Sequence, residues 1–512
     1  MTKIEYLSLS KGQRAVVRVA EGFKNFGRGF VGFFRKLPSK FTKIWMVILS
    51  PFYVLKDALI NGNWITRANF LVCGFSQLFR KQIARGILYL LYEVVFFWFL
   101  FKIGVPNFAK LGTLGEFGPN ATYLVFNATT QEFMPTFIST GDFSFNILLY
   151  SLITIVLMII FVVLWFFSIR DAKLLQDSES VGKFSKNSDF VKDITGKSYQ
   201  NVLLAIPMVG LLAFTIIPII FMIIIGFTNY TSVHTDLFDW VGFKNYSNLF
   251  GGANDGANDI VQVFFKVLAW TLIWAFFATF TNYFLGMVVA LLINKKGIKL
   301  KKLWRTVLIT TIAVPQFVSL LLISQMFSGT GIVSRLFMDW GIIQPGFELL
   351  SDPLISKIII IVVNMWVGIP YTMLICSGIL MNIPEDLYES ARIDGATPFK
   401  MYMKITLPYM LFITMPYLIS QFVGNINNFN VIYLLTGGGP EFKLAGLTVP
   451  AQYGNVGQTD LLITWIYKIC MNDQKDYASA SVIGVLIFLV VAIFSFIFYG
   501  RSNSVKNEED FQ

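Results

Sequence analysis

The segment EDLYESARIDGATPFKMYMKITLP (Glu385–Pro408) is charged and patterned, and it lies between two long apolar runs, 358–381 and 405–435. Each run is long enough to cross a bilayer, because a hydrocarbon core of about 30 Å needs roughly 20 helical residues. The arrangement predicts a short structured loop at one face of a membrane bundle.

The loop itself carries clear helix signals. Pro384 followed by acidic Glu385 is typical of a helix start, since negative charge favours the N-terminal end of the helix dipole. Gly395 predicts the end of this helix. Thr397, an N-cap residue followed by proline, predicts a second helix that reaches about Ile405.

The composition of the whole chain supports a membrane protein. Of its 512 residues, 55% are hydrophobic and 14% charged, and the mean hydropathy is +0.64; soluble domains carry about 25% charged residues. Eight stretches are apolar and long enough to span: 86–105, 146–168, 201–227, 264–293, 305–327, 356–381, 406–436 and 479–500. We therefore predict an all-α integral membrane protein with about eight transmembrane helices.

The positions of lysine and arginine predict the orientation. Residues 1–85 hold fifteen of them, and 169–200 and 295–305 hold six each, whereas 106–145, 228–262 and 328–355 hold one each. Because positive loops remain inside, both termini and the segment 384–408 are predicted to be cytoplasmic. The net charge of +11 then reflects cytoplasmic loops, and no nucleic-acid partner is expected.

Four regions follow from these patterns. They are a basic, amphipathic, cytoplasmic or interfacial N-terminal segment (1–85); two peripheral transmembrane helices with a 40-residue external loop and a basic cytoplasmic loop (86–200); a membrane core (201–500) that contains the loop 384–408; and a cytoplasmic tail (501–512).

Signals for covalent chemistry are absent from the sequence. DITGKS (Asp193–Ser198) resembles the end of a phosphate-binding loop, but Val191 stands where that motif needs glycine. The single histidine and three dispersed cysteines support no metal site. We predict no catalytic residue, no metal and no cofactor bound by this chain.

Two spans carry polar stripes on an apolar background, each with i, i+4, i+7 spacing, which places the members on one helix face. The stripes are Asn364, Gly368 and Tyr371, and Gln421, Asn425 and Asn428. Amides join helices in bilayers, and they also bind the hydroxyl groups of neutral solutes, so both interpretations stand. An ion is less favoured, because the spans hold almost no acidic residue apart from Glu93.

The loop also resembles a known motif. Glu389-Ser390-Ala391, then Gly395, Ile405, Leu407 and Pro408, is similar at these spacings to the "EAA" loop of ABC importer permeases, with Ser390 in place of the usual alanine. The resemblance implies that these seven residues couple the permease to an ATP-binding subunit.

Three longer stretches narrow the resemblance to the maltose/maltodextrin (MalF-type) permeases. They are VNMWVGIPYTMLICSGILMNIPEDLYESARIDGAT, NINNFNVIYLLTGGGP and WVGFKNYSNLF (Trp240–Phe250), within roughly residues 200–500. The resemblance implies a type I ABC importer permease core of six helices, with both stripes at a sugar site. The chain departs from the enterobacterial type in having only about 35 residues, 228–262, where that type has a large external domain.

The resemblance also implies an assembly in the bacterial cell membrane. Its expected members are a homologous MalG-type permease subunit, two ATP-binding-cassette subunits that use ATP and Mg²⁺, and an extracellular solute-binding lipoprotein that delivers an oligosaccharide. The alternatives are an ABC permease for another neutral solute, an ion-coupled secondary carrier, and a membrane subunit that binds no solute.

Overall fold

The structure is a computed structural model, and it describes residues 50–501 apart from 117–123, 128–131, 136–140, 185, 197, 252–256 and 296. Residues 1–49 of the basic N-terminal segment and the tail after Arg501 therefore lie outside the described residues. By internal contacts the chain forms two compact units: one holds 1–109 and 149–214, and the other holds 110–148 and 215–512. The division falls inside the third apolar stretch.

The N-terminal half contains these elements. The helices are α1 (50–60), α2 (Trp64–Ala68), α3 (Phe75–Phe79), α4 (Ile83–Phe99), α5 (Val105–Ala109), α6 (Ser144–Ser180), α7 (Asn187–Thr195), α8 (Tyr199–Leu211) and α9 (Ile217–Ile225), and the strands are β1 (Leu124–Asn127) and β2 (Glu132–Pro135). Single π-helical turns, Leu100–Gly104 and Leu212–Ile216, connect α4 to α5 and α8 to α9.

The remaining elements form the larger part of the second unit. They are α10 (Lys244–Leu249), α11 (Ala257–Asn294), α12 (Lys301–Ala313), α13 (Gln316–Phe327), α14 (Ile332–Asp339), α15 (Pro353–Leu380), α16 (Glu385–Ile393), α17 (Pro398–Met401), α18 (Leu407–Ile426), α19 (Phe429–Thr436), α20 (Leu462–Met471) and α21 (Tyr477–Arg501). Short 3₁₀ turns occur at Leu349–Ser351, Phe442–Ala445 and Ala451–Tyr453, and a π-helical turn occurs at Tyr402–Thr406.

The predicted all-α membrane architecture is confirmed. Within the described residues, eight helical stretches are long and apolar enough to cross a membrane: Ile83–Ala109, Ser144–Ser180, Tyr199–Ile225, Asp259–Asn294, Gln316–Asp339, Pro353–Leu380, Pro398–Thr436 and Tyr477–Phe498. One departure is the antiparallel hairpin of β1 and β2, in which Leu124 pairs with Pro135 and Asn127 with Glu132. The hairpin lies in the loop predicted to be external, where backbone pairing within the loop replaces helix.

The fifth span differs from its prediction as one helix over 305–327. Val314 has extended backbone angles (φ −78°, ψ 125°), so α12 ends at Ala313 and α13 begins after Pro315. Steric contact with the proline ring disfavours the helical region for the residue before proline, which makes a break at Val314 possible. Pro370 and Pro416, in contrast, remain inside continuous helices α15 and α18.

Tight contact between α11 and α15 positions the core of the second unit. Gly286 on α11 lies so close to α15 that a Cβ atom there would be 2.7 Å from Thr372 Cβ and 3.0 Å from the backbone nitrogen of Met373. Small residues allow such backbone approach, and in a bilayer close packing is a main source of helix association. Thr414 on α18 adds a hydrogen bond to Tyr283 of α11, at 2.7 Å between the hydroxyl oxygens.

We expect Gly286→Ala to lower the thermal stability of the protein, because the added methyl group forces α11 and α15 apart. Overpacking of this kind costs about 1–3 kcal/mol. The midpoint of thermal aggregation in detergent, followed by size-exclusion fluorescence, measures the effect. Gly378→Ala is the matched control: Gly378 lies on α15 with no atom within 4 Å of an added Cβ. Equal midpoints for the two variants would contradict the close-packing argument.

The described part of the N-terminal segment, residues 50–85, is folded in the first unit. Arg80 is 5% exposed, its Nε lies 2.8 Å from Glu179 Oε2, and its Nη2 lies 3.0 Å from Thr66 Oγ1. A guanidinium group offers five donors, which suits it to a buried polar cluster of this kind. This positive charge therefore serves packing within the unit.

Candidate functional site

All six residues of the two polar stripes line one cavity of about 380 Å³ in the second unit, here called the amide cavity. Its lining residues are Asn282, Thr311, Ile312, Val314, Pro315, Gln316, Ser319, Asn364, Trp366, Val367, Gly368, Tyr371, Gln421, Asn425 and Asn428. A smaller cavity of about 60 Å³ adjoins it, lined in part by Asn282, Tyr371 and Gln421. The structure thus brings both sequence stripes to one place.

Two interrupted helices border the amide cavity. Val314, Pro315 and Gln316, the break between α12 and α13, belong to its lining. The second interruption separates α18 from α19 at Asn427, and Asn428 caps α19 by accepting a hydrogen bond from the backbone N–H of Val431 at 3.3 Å. Irregular backbone at membrane depth is tolerated where it lines a cavity, and broken helices are a common feature of solute sites in transporters.

The cavity amides divide into two groups. Asn425, 9% exposed, is used in packing: its Nδ2 donates to Thr279 Oγ1 on α11 at 3.0 Å, and its backbone carbonyl accepts from Trp274 Nε1 at 3.0 Å. Asn428 Nδ2 lies 3.4 Å from Asn425 Oδ1. Asn425 therefore joins α18 to α11, whereas Asn428 makes only local contacts, with Asn425 and with the first turn of α19.

The other group has no such contacts. Asn364 is 5% exposed, and its Nδ2 is buried without a hydrogen-bond partner among the described residues; the same is true of Asn282 Oδ1. Buried polar atoms in native proteins are nearly always paired, so an unpaired donor and an unpaired acceptor beside one cavity indicate a missing partner. A solute hydroxyl group has the chemistry to accept from the first or to donate to the second, once a small side-chain movement opens these buried atoms to the cavity.

Asn282 is a site residue that the sequence stripes did not reveal. It stands alone in an aromatic-rich span, FATFTNYFLG (277–286), without a polar residue four positions away. The signal available was a single amide in the middle of a span, which is costly unless it faces a cavity or another helix. Its side chain lies against Gly368, where a Cβ atom would be 2.6 Å from Asn282 Cγ. Gly368 therefore makes room for Asn282.

Two aromatic side chains give the cavity an apolar wall. Trp366 is 50% exposed and Tyr371 is 52% exposed in the isolated chain, and both belong to the lining. An aromatic face packs on the C–H face of a ring, while amides bind its edge, so this combination suits a ring-shaped polar solute. No residue of the lining carries a charge, which disfavours an ionic solute.

Residues 384–408, which the sequence predicts to couple the chain to an ATP-binding subunit and which are here called the coupling segment, form the predicted pair of helices α16 and α17. Pro384 is the residue before the first helix rather than its first residue. Gly395 follows α16 with φ +73°, and the backbone N–H groups of Gly395 and Ala396 donate to the carbonyls of Arg392 and Ala391 at 3.0 and 2.9 Å. This is a Schellman turn, in which glycine takes the left-handed position at no steric cost.

The coupling segment is bonded to the start of the next span and exposes several of its side chains. Tyr388 donates to or accepts from Thr406 Oγ1 at 2.8 Å, which ties α16 to the turn before α18. Glu389 and Ser390 are exposed, Ala391 is half-buried, and Ile393 and Phe399 are 86% and 74% exposed. Apolar side chains exposed beside a carboxylate are typical of a protein–protein contact surface.

The remaining predicted coupling residues lie at the start of the next span. Ile405 is in the π-helical turn, and Leu407 and Pro408 begin α18. Pro384 and Gly395 lie on the loop, while Leu407 packs in a cluster with Met287 and Met410. The segment is therefore joined directly to the helix that carries Gln421 and Asn425.

Among the described residues, no group of three or more His, Cys, Asp or Glu side chains has the placement of a metal site.

Comparison with known proteins agrees with this geometry. The family described as "Binding-protein-dependent transport system inner membrane component" matches residues 282–504. The maltodextrin transport system permease protein MdxF of Bacillus subtilis is 31% identical over 451 residues, which cover 86% of this chain and 95% of that protein. The galactooligosaccharides transport system permease protein GanP of the same organism is 32% identical over 446 residues, 86% of this chain and 97% of that one.

Similarity to the enterobacterial proteins is more confined. The maltose/maltodextrin transport system permease protein MalF of Escherichia coli K12 is 36% identical over 253 residues, 49% of this chain and 46% of that protein. The match to MdxF extends well beyond that portion. The chain belongs to the family of binding-protein-dependent transport system inner membrane components, the permease subunits of ABC importers.

Proposed function

We propose that this permease subunit translocates a neutral oligosaccharide, of the malto-oligosaccharide class or a related one, through the amide cavity by alternating access. One observation carries the proposal: two amide atoms without hydrogen-bond partners, Asn364 Nδ2 and Asn282 Oδ1, belong to residues that line the same cavity as the aromatic side chains. Those side chains are Trp366 and Tyr371. Sugars present hydroxyl groups at their edges and C–H groups on their faces, and this lining provides for both.

The relatives support the substrate class. One is described as a maltodextrin permease and another as a galactooligosaccharide permease, and both align with nearly their whole length. Two sugar classes among such relatives favour an oligosaccharide and leave the linkage to experiment.

The energy for uptake is proposed to enter through the coupling segment. Two ATP-binding subunits, which use ATP and Mg²⁺, would contact α16 through Glu389, Ser390, Ala391 and the turn at Gly395. A homologous permease subunit would complete the membrane passage, and a solute-binding lipoprotein would deliver the sugar on the external side. Movement of the segment is transmitted to α18 because the two are continuous in the chain. Such a cycle requires ligands that bind the two states with different affinity.

We expect Asn364→Leu and Gln421→Leu to reduce uptake of labelled maltotriose by about tenfold or more, because each removes a hydrogen bond to the sugar worth about 1–2 kcal/mol. Neither side chain bonds to another described residue, so assembly should be preserved. Transport in proteoliposomes that contain the complete importer measures the effect, and copurified ATPase subunit confirms assembly.

Thr279→Val is the matched control for this experiment. It removes the hydrogen-bond partner of Asn425 and leaves Asn364 and Gln421, here called the free amides, unchanged. We therefore expect lower thermal stability with sugar affinity unchanged. If Asn364→Leu and Gln421→Leu transport maltotriose and galactotriose at the parental rate, the free amides are not sugar ligands. If an unrelated neutral solute is transported instead, the solute-site proposal stands and the sugar class is wrong.

The ion-coupled alternative has little support in the geometry. Glu93, the acid noted within the first span, accepts a hydrogen bond from the backbone N–H of Cys73 at 2.7 Å and is 8% exposed. It serves the packing of the first unit and is absent from the lining of the amide cavity. Uptake that persists without ATP and depends on a sodium or proton gradient would favour that alternative.

A further inference from the structure

A second cavity, of about 750 Å³, lies among the segments between α19 and α21. Here called the loop cavity, it is lined by Tyr433, Thr436, Gly437, Gly439, Glu441, Ala451, Gly454, Asn455, Tyr467, Lys468, Met471, Asn472, Asp473 and Gln474. Helix α19 connects the two cavities: Asn428 precedes its first residue and lines the amide cavity, and Thr436 ends it and lines the loop cavity. Eight residues at 1.5 Å each make this helix about 12 Å long.

A buried ion pair stabilises residues 457–468 beside the loop cavity, a segment here called the frame. Asp460 is fully buried, and its carboxylate accepts from Lys468 Nζ at 2.6 Å, from the backbone N–H of Gly457 at 2.7 Å and from Thr464 Oγ1 at 2.8 Å. With these donors present, the buried carboxylate is well satisfied. The ammonium of Lys468 is therefore committed to the frame, and the cavity offers no free cation from it to an anionic ligand.

An aromatic wall forms one side of the loop cavity. The rings of Tyr433 and Tyr467 meet edge-to-face, with centroids 5.0 Å apart and planes at 74°. Phe429 supports both, with its centroid 4.8 Å from that of Tyr433 and 4.9 Å from that of Tyr467. Both tyrosines are only partly buried, so ring surface remains open to the cavity.

The same cavity is also lined by polar side chains of the carboxylate and amide type. Glu441, Asn455 and Gln474 line the cavity, and their side chains make no hydrogen bond or ion pair among the described residues. An aromatic wall in one cavity with a carboxylate and amides, and with Lys468 committed to Asp460, matches the chemistry of a neutral sugar. An acidic ligand would meet Glu441 and Asp473 without a counter-charge.

We propose that the loop cavity is a second carbohydrate subsite, which takes a pyranose ring on Tyr433 and Tyr467 and hydroxyl groups on Glu441 and Asn455. This inference rests on the proposed function, because the ligand class comes from it. The loop cavity lies at the end of the bundle opposite the coupling segment, since α18 and α19 lead away from that segment. On the predicted orientation it is external, where sugar arrives before it reaches the amide cavity.

Photo-crosslinking tests the proposal on the complete importer in lipid nanodiscs. The probe is maltotriose with a diazirine at its reducing end, and labelled peptides are located by mass spectrometry. We expect labels both in 433–474 and in peptides that contain Asn364 or Gln421, each suppressed by excess maltotriose. Tyr467→Ala and the exposed-site variant Asn455→Ala should lower the 433–474 label about fivefold while the amide-cavity label is unchanged.

Two further variants separate a binding role from a disturbed fold. Tyr467→Trp keeps an aromatic face and should retain the 433–474 label, and Leu444→Ala, at an 82% exposed side chain outside the lining, should retain both labels. Labelling confined to the amide cavity, or a 433–474 label that neither Tyr467→Ala nor Asn455→Ala lowers, would overturn the second subsite and leave the proposed function standing. Absence of label at both places would overturn the proposed function for this sugar, and the inference with it.

Discussion

Glu389→Lys is expected to reduce sugar uptake by at least about tenfold while the importer still assembles. Glu389 is exposed on α16 and makes no ion pair with another described residue, so charge reversal there should cost the isolated chain little stability. If Glu389 meets basic groups of an ATP-binding subunit, as the proposed coupling role requires, the same reversal replaces attraction by repulsion, and like-charge juxtaposition at an interface costs several kcal/mol. Uptake into proteoliposomes and ATP hydrolysis, measured on the same preparation, separate transport from hydrolysis.

Asp394→Lys is the matched control for that experiment. Asp394 is also exposed, but it lies five residues further on, which is about 140° around the helix axis at 100° per residue. Its charge reversal at the C-terminal end of α16 favours the helix dipole, so folding should be unaffected. Parental uptake in Glu389→Lys, with the ATPase subunits bound, would remove Glu389 from the coupling role.

Gly438→Ala is expected to have the largest effect on stability, of the order of 3 kcal/mol or more. Gly438 has φ +85°, and a methyl group there would overlap the carboxylate of Asp460. Burial raises the pKa of the Asp460 carboxyl, and the ammonium of Lys468 opposes that shift. Displacing this carboxylate separates a buried ion pair, which is strongly destabilising because the charges lose their partners. Thermal aggregation midpoints in detergent and the yield of assembled complex measure the loss.

The neighbouring glycine provides the control. Gly437 has φ +60°, is exposed, and has no atom within 4 Å of an added Cβ. Gly437→Ala therefore carries only the backbone strain of a left-handed alanine, about 1–2 kcal/mol. If both variants melt together, the contact with Asp460 contributes nothing, and the frame proposed for the loop cavity is not required for folding.

The sequence predicted the spans and the coupling helices because these depend on local signals. Hydropathy over about 20 residues is sufficient for a membrane helix. Thr397 caps α17 by accepting a hydrogen bond from the backbone N–H of Lys400, and Gly395 follows the end of α16. Both roles were predicted from the positions of these residues in the sequence. The placement of Asn364, Gly368 and Tyr371 on one face of α15, and of Gln421 and Asn425 on one face of α18, was likewise predictable from the 3.6-residue period. The break at Asn427, which puts Asn428 beyond the end of α18, was not predicted.

Features that depend on tertiary contacts were not predictable in this way. Pro315 breaks its span, whereas Pro370 and Pro416 lie inside continuous helices. The sequence around the three prolines does not indicate which of them will interrupt a helix. Which amides bind other helices and which remain free also depends on neighbours far away in the chain: Asn425 is taken by Thr279, 146 residues distant. Asn282 was missed because one amide forms no pattern.

The position of α19 has a thermodynamic consequence. Its two ends belong to different cavities, through Asn428 at one and Thr436 at the other, and an eight-residue helix moves as a stiff lever. A tilt of α19 as a rigid unit would therefore change the loop cavity and the amide cavity together. Thermodynamic linkage then has a consequence for two bound sugars. If sugar in the loop cavity changes the sugar affinity of the amide cavity by some factor, sugar in the amide cavity changes the affinity of the loop cavity by the same factor. On the proposed function, a sugar in the loop cavity would therefore change the sugar affinity of the amide cavity before the amide cavity is occupied.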